Sequence, residues 1–253
     1  MKIKRIIPAL TILNGDLVKT QKFDQLNYNY IGDVLNSVRI FNDKEAEEII
    51  ITDIGSTINN SEPNFELIKK ISSTARMPIT YGGGIKNIYQ AKKIISYGVE
   101  KISISSKLFK NFEFLKELNT EFGTQSISVT IDIKKVNNEY FIYINNGKLN
   151  TQIRPEDFIE GIYGYAGELI INNIDNDGMM NGIDENYIET IYKKIKIPLV
   201  VMGGIGSILE VSKIFRKFDI IGVACGSLFI YKGINKAVLI NYPKKEILSN
   251  LDQ

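Results

Sequence analysis

Two segments of this chain, residues 77–109 and 197–229, align without a gap at an offset of 120 residues. Identical residues recur along the whole alignment, from Pro78 and Pro198 to Phe109 and Phe229. Each copy contains an apolar run, a glycine turn, an amphipathic stretch, a second apolar run and a turn of small residues. This order predicts a βαβ unit, and the period is too long for a solenoid of about 20 to 50 residues per repeat. We therefore interpret the chain as a duplicated half-domain.

Short apolar runs alternate with helical patterns along the full sequence. The predicted strands span residues 5–10, 48–52, 78–82, 101–105, 126–132, 168–173, 198–202 and 220–225. A length of 253 residues suits one (β/α)8 TIM barrel, so we predict a single barrel domain over residues 1–253, built from two half-barrels. An open doubly wound sheet is the alternative, but the halving into two four-strand units favours closure. Alternation around Asn146 and Gly147 predicts a small hairpin inserted above the barrel.

Alternation within the strands separates two faces. In the first strand Ile6 and Leu10 share one face, and Arg5, Ile7, Ala9 and Thr11 share the other. Several other strands likewise have one aliphatic face and one face of smaller or polar residues. We expect the aliphatic faces to pack beneath the helices and the second faces to line a lumen that is polar along much of its axis.

Four predicted strands begin with a charged residue on the lumen-facing parity: Arg5, Glu48, Lys101 and Glu168. The two positive and two negative charges sum to zero. Leaving a buried charge unpaired costs roughly 3 to 5 kcal/mol, so we expect the four to pair as a ring in the barrel mouth. Spacing alone leaves open the alternative of four solvated charges at strand ends.

Turns rich in glycine and serine follow strands in both halves. They contain Gly82, Gly83, Gly84, Ser105 and Ser106 in the first half, and Gly203, Gly204, Gly226 and Ser227 in the second. Backbone amides in such turns can bind an anion, and this fold often has a phosphate site after its last strands. A lone glycine pair is more often a sign of tight packing. The duplicated pattern predicts two phosphate sites, and hence a ligand with two phosphates.

The chain contains no histidine, so acid–base chemistry near neutral pH must use carboxylates, lysines, tyrosines or water. Asp132 ends a lumen-facing row and is our first candidate for a general acid or base. Asp53 follows a strand and is a candidate site residue, or equally a helix cap. Asp177 has the sequence context of a turn. Lys19, in the loop after the first strand, is a candidate phosphate or lid residue, or simply solvated.

The net charge of +2 is made of interspersed charges, which gives no reason to expect nucleic acid or an anionic membrane as partner. The single cysteine, Cys225, excludes an intrachain disulfide and fits a reducing compartment. The N-terminal residues lack the apolar stretch of a secretory signal. We expect a cytoplasmic protein without a membrane span, a metal or a cofactor.

Several motifs together resemble the cyclase (HisF) subunit of imidazole glycerol phosphate synthase over essentially the whole chain. They are KRII, the NG-x-x-VK loop, YGGGI, EKISIS, IDIK, GELIINNIDNDG and GGIG. The resemblance implies a bis-phosphorylated substrate at the C-terminal face, bound by the turns above together with Asp177 and Gly178. It also implies a glutaminase docked at the other face near Glu100, and ammonia passing a gate formed by the four charges.

One position departs from that family. Its cyclases use two aspartates, at the ends of strands 1 and 5; the second is Asp132, but the first is replaced by Thr11. Threonine cannot exchange a proton near neutrality, and losing one member of an acid–base pair costs about 100-fold to 10,000-fold in rate. The same departure resembles the WbuZ-type paralogues encoded with surface-polysaccharide genes. That resemblance implies that the barrel supplies ammonia to a separate ATP-using enzyme, which amidates a sugar.

Three hypotheses follow. The leading one is an ammonia-conducting, synthase-type subunit of a glutamine-dependent amidotransferase in acetamidino-sugar or lipopolysaccharide biosynthesis. The second is a true cyclase subunit in histidine biosynthesis, with water or another carboxylate in place of the missing aspartate. The third is a docking scaffold whose ligand turns are relics. A neutral quartet of charges in the lumen disfavours the scaffold.

Overall fold

The computed structural model describes residues 4–219 and 222–244. The strands of this part are β1 (Arg5–Leu13), β2 (Asp16–Lys19), β3 (Asn29–Gly32), β4 (Ile49–Asp53), β5 (Ile79–Gly82), β6 (Lys101–Ile104), β7 (Ile127–Val136), β8 (Glu139–Ile144), β9 (Leu149–Asn150), β10 (Glu168–Asn173), β11 (Leu199–Met202), β12 (Gly222–Cys225), β13 (Tyr231–Lys232) and β14 (Ala237–Val238). Its helices are α1 (Val34–Asp43), α2 (Ile54–Ile58), α3 (Phe65–Thr74), α4 (Ile88–Ser96), α5 (Glu113–Phe122), α6 (Pro155–Phe158), α7 (Glu185–Lys194), α8 (Ile208–Lys217) and α9 (Ser227–Ile230), with short 3-10 turns at Thr124–Ser126 and Ile159–Ile162.

Parallel pairing closes the sheet into a barrel. Strands β10, β11, β12, β1, β4, β5, β6 and β7 neighbour one another in that order, and β7 pairs again with β10. The closing register runs from Ser128 beside Glu168 to Ile133 beside Asn173. The predicted (β/α)8 barrel is therefore confirmed, and the open sheet is excluded. Ile220 and Ile221, which begin the last predicted strand, lie outside the described residues.

Two strands run beyond their predicted ends because an antiparallel partner continues the pairing. The end of β1 pairs with β2, and the end of β7 pairs with β8 from Asp132 to Val136. The predicted hairpin around Asn146 and Gly147 is present as β8 and β9. Both extensions lie at the C-terminal end of the barrel, so they build walls around its mouth.

The helices between barrel strands begin where a polar side chain caps free backbone amides. Such caps are made by Asp33, Asn64, Asn87, Asp184 and Ser207 at the starts of α1, α3, α4, α7 and α8. An N-cap side chain accepts a hydrogen bond from an amide in the first turn that no carbonyl of the helix can reach. These residues fix where each chain segment turns back along the barrel. None of the helices in residues 4–219 and 222–244 is long and apolar enough to cross a membrane.

The buried aliphatic residues form two separate clusters. The larger one fills the layer between strands and helices and includes Ile6 and Leu10, as the alternation predicts. The smaller one lies inside the barrel and consists of Ile7, Ala9, Ile50, Ile170, Val200 and Ala224, with Met202 packed against it. Its members come from β1, β4, β10, β11 and β12, whereas the small polar residues of the interior come chiefly from β5, β6 and β7. The prediction of a lumen that is polar along much of its axis is therefore correct only for one side. The polar residues form a stripe, and an apolar wall lies opposite.

The two halves share an equivalent backbone contact. A side-chain Cβ at Gly83 would overlap the carbonyl oxygen of Asp53, and one at Gly203 would lie 2.6 Å from the carbonyl oxygen of Asn173. Both contacts join residues whose counterparts are 120 positions apart. Each glycine has a positive φ, 124° and 91° respectively. These glycines let the turn after one strand pass against the end of its neighbour.

Candidate functional site

A ring of charges fills the N-terminal mouth of the barrel. Arg5 contacts both Glu48 and Glu168, and Lys101 lies 3.3 Å from Glu48 and 3.5 Å from Glu168. Each carboxylate therefore touches both cations. The side chains are mostly buried, with 17% of Arg5 and 4% of Glu168 exposed. The structure thus brings together all four residues that strand parity placed in the mouth.

The ring is electrically neutral but strongly coupled. Burial alone would lower the pKa of Arg5, yet attraction to Glu168 and Glu48, with the hydrogen bonds they accept, raises it above its ordinary value. Two hydroxyls extend the ring upward: Thr80 donates to Glu48 and Ser128 donates to Glu168, each at 3.3 Å. The carboxylates therefore accept hydrogen bonds as well as ion pairs, which compensates for their loss of water.

Glu100 precedes Lys101 and lies at the same end of the barrel. Its side chain is exposed, and one oxygen accepts a hydrogen bond of 2.7 Å from the backbone amide of Ile79. This contact ties the residue to the start of β5. A contact with a partner protein at this position stays a prediction.

The opposite, C-terminal mouth holds a cavity of about 370 Å³. Both predicted glycine turns line it, together with Thr11, Lys19, Asp132 and Asp177. Asn145 and Asn146 of the hairpin also border it. Most of these residues lie at or beyond the carboxyl ends of the parallel strands, which is where ligands bind in barrels of this kind. Lys19 and the two asparagines come from the antiparallel extensions, at the end of β2 and after β8. The structure therefore gathers the sequence-predicted residues of this face around one cavity.

The glycine turns owe their composition first to packing. A Cβ at Gly84 would lie 2.7 Å from the Cβ of Ser56, and one at Gly204 would lie 2.8 Å from that of Asn176. At Gly178 it would overlap the backbone of the loop that follows β2. Glycine at these places is explained without a ligand. The case for an anion must rest on other groups.

Those other groups are polar atoms that lack partners. The hydroxyl oxygens of Ser105 and Ser227 are buried, and no hydrogen bond to either is found in the part of the chain that the structure describes. They lie in the turns after β6 and β12, one in each half. Ser106 differs, because its hydroxyl accepts a hydrogen bond of 2.9 Å from the backbone amide of Asn145. One serine hydroxyl in each half thus lacks a hydrogen-bond partner within the described part of the chain.

Lys19 lies against the turn after β12. Its ammonium group occupies the space that a side chain at Gly226 would need. The residue is only 7% exposed, and among residues 4–219 and 222–244 no carboxylate lies within ion-pair distance of it. Burial raises the pKa of the Asp177 carboxyl, and the charge of Lys19 lowers it. The two groups are therefore close enough to interact. A buried cation against the Gly226 turn is suited to an anion.

Asp132 borders the cavity, and its carboxyl has an unusual pKa. Burial raises the pKa of its carboxyl to about 7; a hydrogen bond from Asn172 opposes this rise, and the charge of Asp177 adds to it. The Nδ2 of Asn172 donates to Asp132 Oδ1 at 3.4 Å. A carboxyl with a pKa near neutrality can both donate and accept a proton at physiological pH.

The remaining two predicted positions behave differently. Thr11 faces the cavity from the end of β1, beside Thr52 in the sheet register. Asp53 is a helix cap: its carboxylate accepts hydrogen bonds from the backbone amide and the hydroxyl of Ser56, at 3.0 and 2.8 Å. The hydroxyl of Tyr81 also donates to Asp53 Oδ2, at 3.5 Å. The cap interpretation of Asp53 is the one that the geometry supports.

Three cavity residues, Ser103, Thr130 and Asn172, were not among the candidate site residues. Ser103 and Thr130 share a hydrogen bond of 2.6 Å across neighbouring strands. The signal that could have found them is strand parity, which places all three on the lumen face. Ser103 lies in EKISIS and Asn172 in GELIINNIDNDG, but none of the three is charged or titrates near neutral pH, so their chemistry alone does not indicate a catalytic role.

Comparison with known proteins agrees with this architecture. Residues 5–235 match the histidine biosynthesis protein family. A Leptospira interrogans protein named "Putative imidazole glycerol phosphate synthase subunit HisF" is 45% identical over 96% of each chain. The imidazole glycerol phosphate synthase subunit HisF of Natranaerobius thermophilus is 33% identical, also over 96% of each chain, and a HisF protein of Sulfolobus acidocaldarius is 33% identical over 87% of this chain and 88% of its own. The chain therefore belongs to the HisF group of the histidine biosynthesis protein family.

Proposed function

We propose that this barrel is the synthase-type subunit of a glutamine-dependent amidotransferase. It receives ammonia from a glutaminase at its N-terminal mouth and passes it through the lumen to the C-terminal cavity. The observation that carries the proposal is the neutral ring of Arg5, Glu48, Lys101 and Glu168 at the end opposite the cavity. A barrel needs no buried ion quartet for stability, since hydrophobic residues of similar volume often serve as well or better.

The lumen above the ring supports passage of a small neutral molecule. Its apolar wall includes Ile7, Ile50 and Val200, and Gly222 and Ala224 leave little side chain on β12. Passing this apolar wall costs an uncharged molecule such as ammonia less hydration free energy than it costs an ammonium ion. The ring and the apolar wall would therefore admit ammonia and hold back ions.

The cavity supports a phosphorylated ligand. Ser105 and Ser227 offer buried hydroxyls without partners, and Lys19 offers a buried positive charge. These groups lie in both halves, which favours a ligand with an anionic group at each end. The family relationship supports the same ligand class.

The partner is proposed from the family. The relatives are named subunits of a synthase, and a subunit implies a second chain. Glu100 lies beside the ring at the exposed end of the barrel, where a glutaminase would deliver ammonia. Cytoplasmic location fits this role.

The threonine at position 11 bears on which molecule accepts the ammonia. With threonine in place of the first aspartate, Asp132 is left as the one family acid–base residue, which favours transfer of ammonia to a separate ATP-dependent enzyme that amidates a surface-polysaccharide sugar. The alternative is a genuine cyclase in histidine biosynthesis. A specific observation favours it: the pKa of Asp132 near 7 suits acid–base catalysis.

One assay separates the two. The purified protein is given the imidazole-forming, bis-phosphorylated substrate and saturating ammonium salt, and imidazole product is measured. We expect little turnover by the wild type and a gain of at least about 100-fold in Thr11→Asp, the lower range for restoring one acid–base partner. Robust wild-type turnover, or rescue of a histidine auxotroph that lacks its own cyclase subunit, would establish the cyclase instead.

A further inference from the structure

Two hairpins beside the C-terminal mouth carry more than half of the exposed large hydrophobic side chains of the described chain. Eleven such residues are exposed, and six of them lie in β3 and the segment before it or in the β13–β14 hairpin and the residue after it. The six are Leu26, Tyr28, Tyr30, Ile234, Val238 and Leu239. The other five are scattered over α2, α4, α8 and the chain at and after β9. Single exposed hydrophobic residues are normal on a soluble protein, whereas a cluster marks an interaction site.

The two hairpins contact each other. The Nδ2 atom of Asn29, in β3, donates a hydrogen bond of 3.1 Å to the hydroxyl of Tyr231, and Tyr231 pairs with Val238 across β13 and β14. Aromatic and apolar side chains therefore continue from one hairpin to the next. We call the set formed by these side chains the rim patch: Leu26, Tyr28, Tyr30, Tyr231 and Val238.

A hydrogen-bonded turn fixes one end of the rim patch. The backbone amides of Leu26 and Asn27 donate to Asp24 Oδ1 at 3.0 and 3.3 Å, and the side-chain amide of Asn27 donates to Asp24 Oδ2 at 2.7 Å. This turn presents Leu26 with 92% of its surface exposed. Because the backbone around Leu26 is already ordered, a partner that covers this residue loses little affinity to ordering the turn.

The composition of the rim patch fits a protein partner. Residues 25–32 contain two tyrosines and no charged residue, and the centres of protein interfaces are likewise rich in tyrosine and poor in charge. The β13–β14 hairpin adds two exposed lysines, Lys232 and Lys236, which form no ion pair with the described part of the chain. A complementary surface is therefore apolar at its centre and acidic at one edge. Two lysines are fewer than the clusters of about four to eight that recognise anionic lipids, which favours a protein over a membrane.

We infer that the rim patch is the docking surface for the enzyme that accepts the ammonia. The inference rests on the proposed function, because it names where the separate ATP-using enzyme binds. Lys19, Phe23 and Gln25, which precede the rim patch in the chain, line the C-terminal cavity. An enzyme bound to the rim patch is therefore beside the opening of that cavity. Ammonia that escapes into neutral water becomes ammonium, which has no lone pair for attack, so the acceptor must bind close to the opening.

The test measures how tightly the complex of this barrel with its glutaminase binds the purified ATP-using sugar amidotransferase of the same organism, by biolayer interferometry. Tyr30→Lys places a charge in the rim patch and should weaken binding about 30-fold, as the loss of a tyrosine hot spot does. Tyr89→Lys is the matched control and should leave the affinity unchanged. Tyr89 is 68% exposed and Tyr30 is 62% exposed, but Tyr89 lies on α4, between β5 and β6 and outside the rim patch.

Two further variants keep the test independent of Tyr30→Lys. Leu26→Asp charges the other end of the rim patch and should weaken binding in the same way. Lys232→Glu should mainly slow association, and less so as salt is added, because it reverses a charge that faces the acidic edge of the partner.

A transfer assay separates docking from chemistry. In Tyr30→Lys the amidation driven by glutamine should fall, whereas the amidation driven by added ammonium should not, because free ammonia reaches the acceptor enzyme from solution. Tyr89→Lys should change neither rate.

Absence of binding by the wild type, or wild-type affinity in both Tyr30→Lys and Leu26→Asp, would overturn the docking surface. A dimer, or binding to vesicles of anionic lipid, that Tyr30→Lys abolishes would overturn it too and assign the rim patch to a second copy or to a membrane. The proposed function fails separately. If the rim variants weaken binding but nitrogen from glutamine never reaches the sugar, the surface stands and the ammonia-conducting role does not. If that nitrogen is transferred at the wild-type rate in both rim variants, the role stands and the surface is wrong.

Discussion

The two halves of the barrel share their backbone contacts but not their polar chemistry. Gly83 lies against Asp53 as Gly203 lies against Asn173, and a Cβ at Gly84 would meet Ser56 as one at Gly204 would meet Asn176. Each first-half residue in these contacts lies 120 positions before its second-half counterpart. One of these counterpart pairs differs in charge, since Asp53 in the first half corresponds to Asn173 in the second. Duplication has therefore kept the close approaches that shape each turn and changed the groups that the turns present.

The difference is clearest at Ser106 and Gly226, which correspond at the same offset. In the first half the serine hydroxyl is bonded to the hairpin through the Asn145 amide. In the second half glycine leaves room for the buried ammonium of Lys19. One turn is thus held by an inserted hairpin, and the other is lined by a cation. We expect the two halves to respond alike to backbone changes and differently to charge changes.

The largest effect should come from a backbone change. Gly203→Ala places a Cβ 2.6 Å from the Asn173 carbonyl oxygen at a φ of 91°. Left-handed backbone strain of roughly 1 to 2 kcal/mol and overpacking of roughly 1 to 3 kcal/mol should together lower the free energy of unfolding by about 3 kcal/mol or more. Gly83→Ala should be at least as harmful. Urea unfolding monitored by circular dichroism measures both.

Gly15→Ala is the matched control for this comparison. Gly15 has nearly the same φ, 92°, but a Cβ there would meet no atom within 4 Å. It should lose only the backbone contribution, about 1 to 2 kcal/mol. If Gly203→Ala were no worse than Gly15→Ala, the repeated close approach would not be what requires glycine.

These repeated glycines show what the sequence could reveal. The ungapped alignment and the strand parity were enough to predict the barrel, its eight strands and the four charges of the ring. Parity also divided Ile7 from Ile6 correctly. Strand parity could not predict which lumen residues contact each other. Ser103 and Thr130 lie 27 residues apart, and their hydrogen bond depends on the stagger between β6 and β7.

The same limit applies to Lys19 and Asp53. Nothing local to Lys19 indicates that its ammonium would fold back over Gly226, because that contact joins residues at opposite ends of the chain. For Asp53 a strand end favoured a site and a cap equally, and only the bonds to Ser56 decide for the cap. Side-chain partners across the barrel depend on the three-dimensional arrangement of the strands.

The next effect concerns the ring, which draws Arg5, Glu48 and Lys101 from the first half and Glu168 from the second. Arg5→Met leaves both glutamates with Lys101 alone and should cost about 3 kcal/mol, the lower end for breaking a buried ion pair, because 17% of the arginine is exposed. Lys101→Met should cost less, since its contacts are longer. Thermal and urea unfolding give the order.

The ring also predicts a functional difference. In a complex with the glutaminase, Lys101→Met should change product formation from glutamine relative to that from added ammonium. Equal losses with both nitrogen sources would mean that the ring is only structural. The exposed pair of Lys116 and Glu113 offers a control, because Lys116→Met should leave that ratio unchanged.

A smaller effect should appear as pH dependence. The folded-state pKa of Asp132, about 7, lies above its ordinary value of 3.8 because of burial. The folded protein therefore keeps a proton that the unfolded chain releases, and this contribution to stability is lost as pH rises from about 4 to 7. Asp132→Asn should gain stability relative to wild type between pH 5 and pH 8, by on the order of 2 kcal/mol, since the carboxyl reaches the solvent of the cavity.

Urea unfolding of the two proteins at both pH values measures this gain, and Thr11→Val serves as a neutral change in the same cavity. Its difference from wild type should not vary with pH. A constant difference between Asp132→Asn and wild type would mean that the carboxyl is ionised throughout. The half-buried Asp177, whose pKa is also raised by desolvation, should show the same sign.

The smallest effect tests the charge asymmetry between the halves. Lys19→Met removes the buried cation at similar length, so inorganic phosphate should bind the turn of Gly226 and Ser227 about tenfold more weakly, the loss of one charge-assisted hydrogen bond. The turn of Ser105 lies in the other half and should keep its affinity. Amide chemical shifts of each turn report the two affinities separately, and Lys22→Met, a change of an exposed lysine in the same loop, should alter neither. Equal weakening at both turns would show that Lys19 acts through the overall field of the cavity, and the two halves would then differ in contacts but not in how they hold an anion.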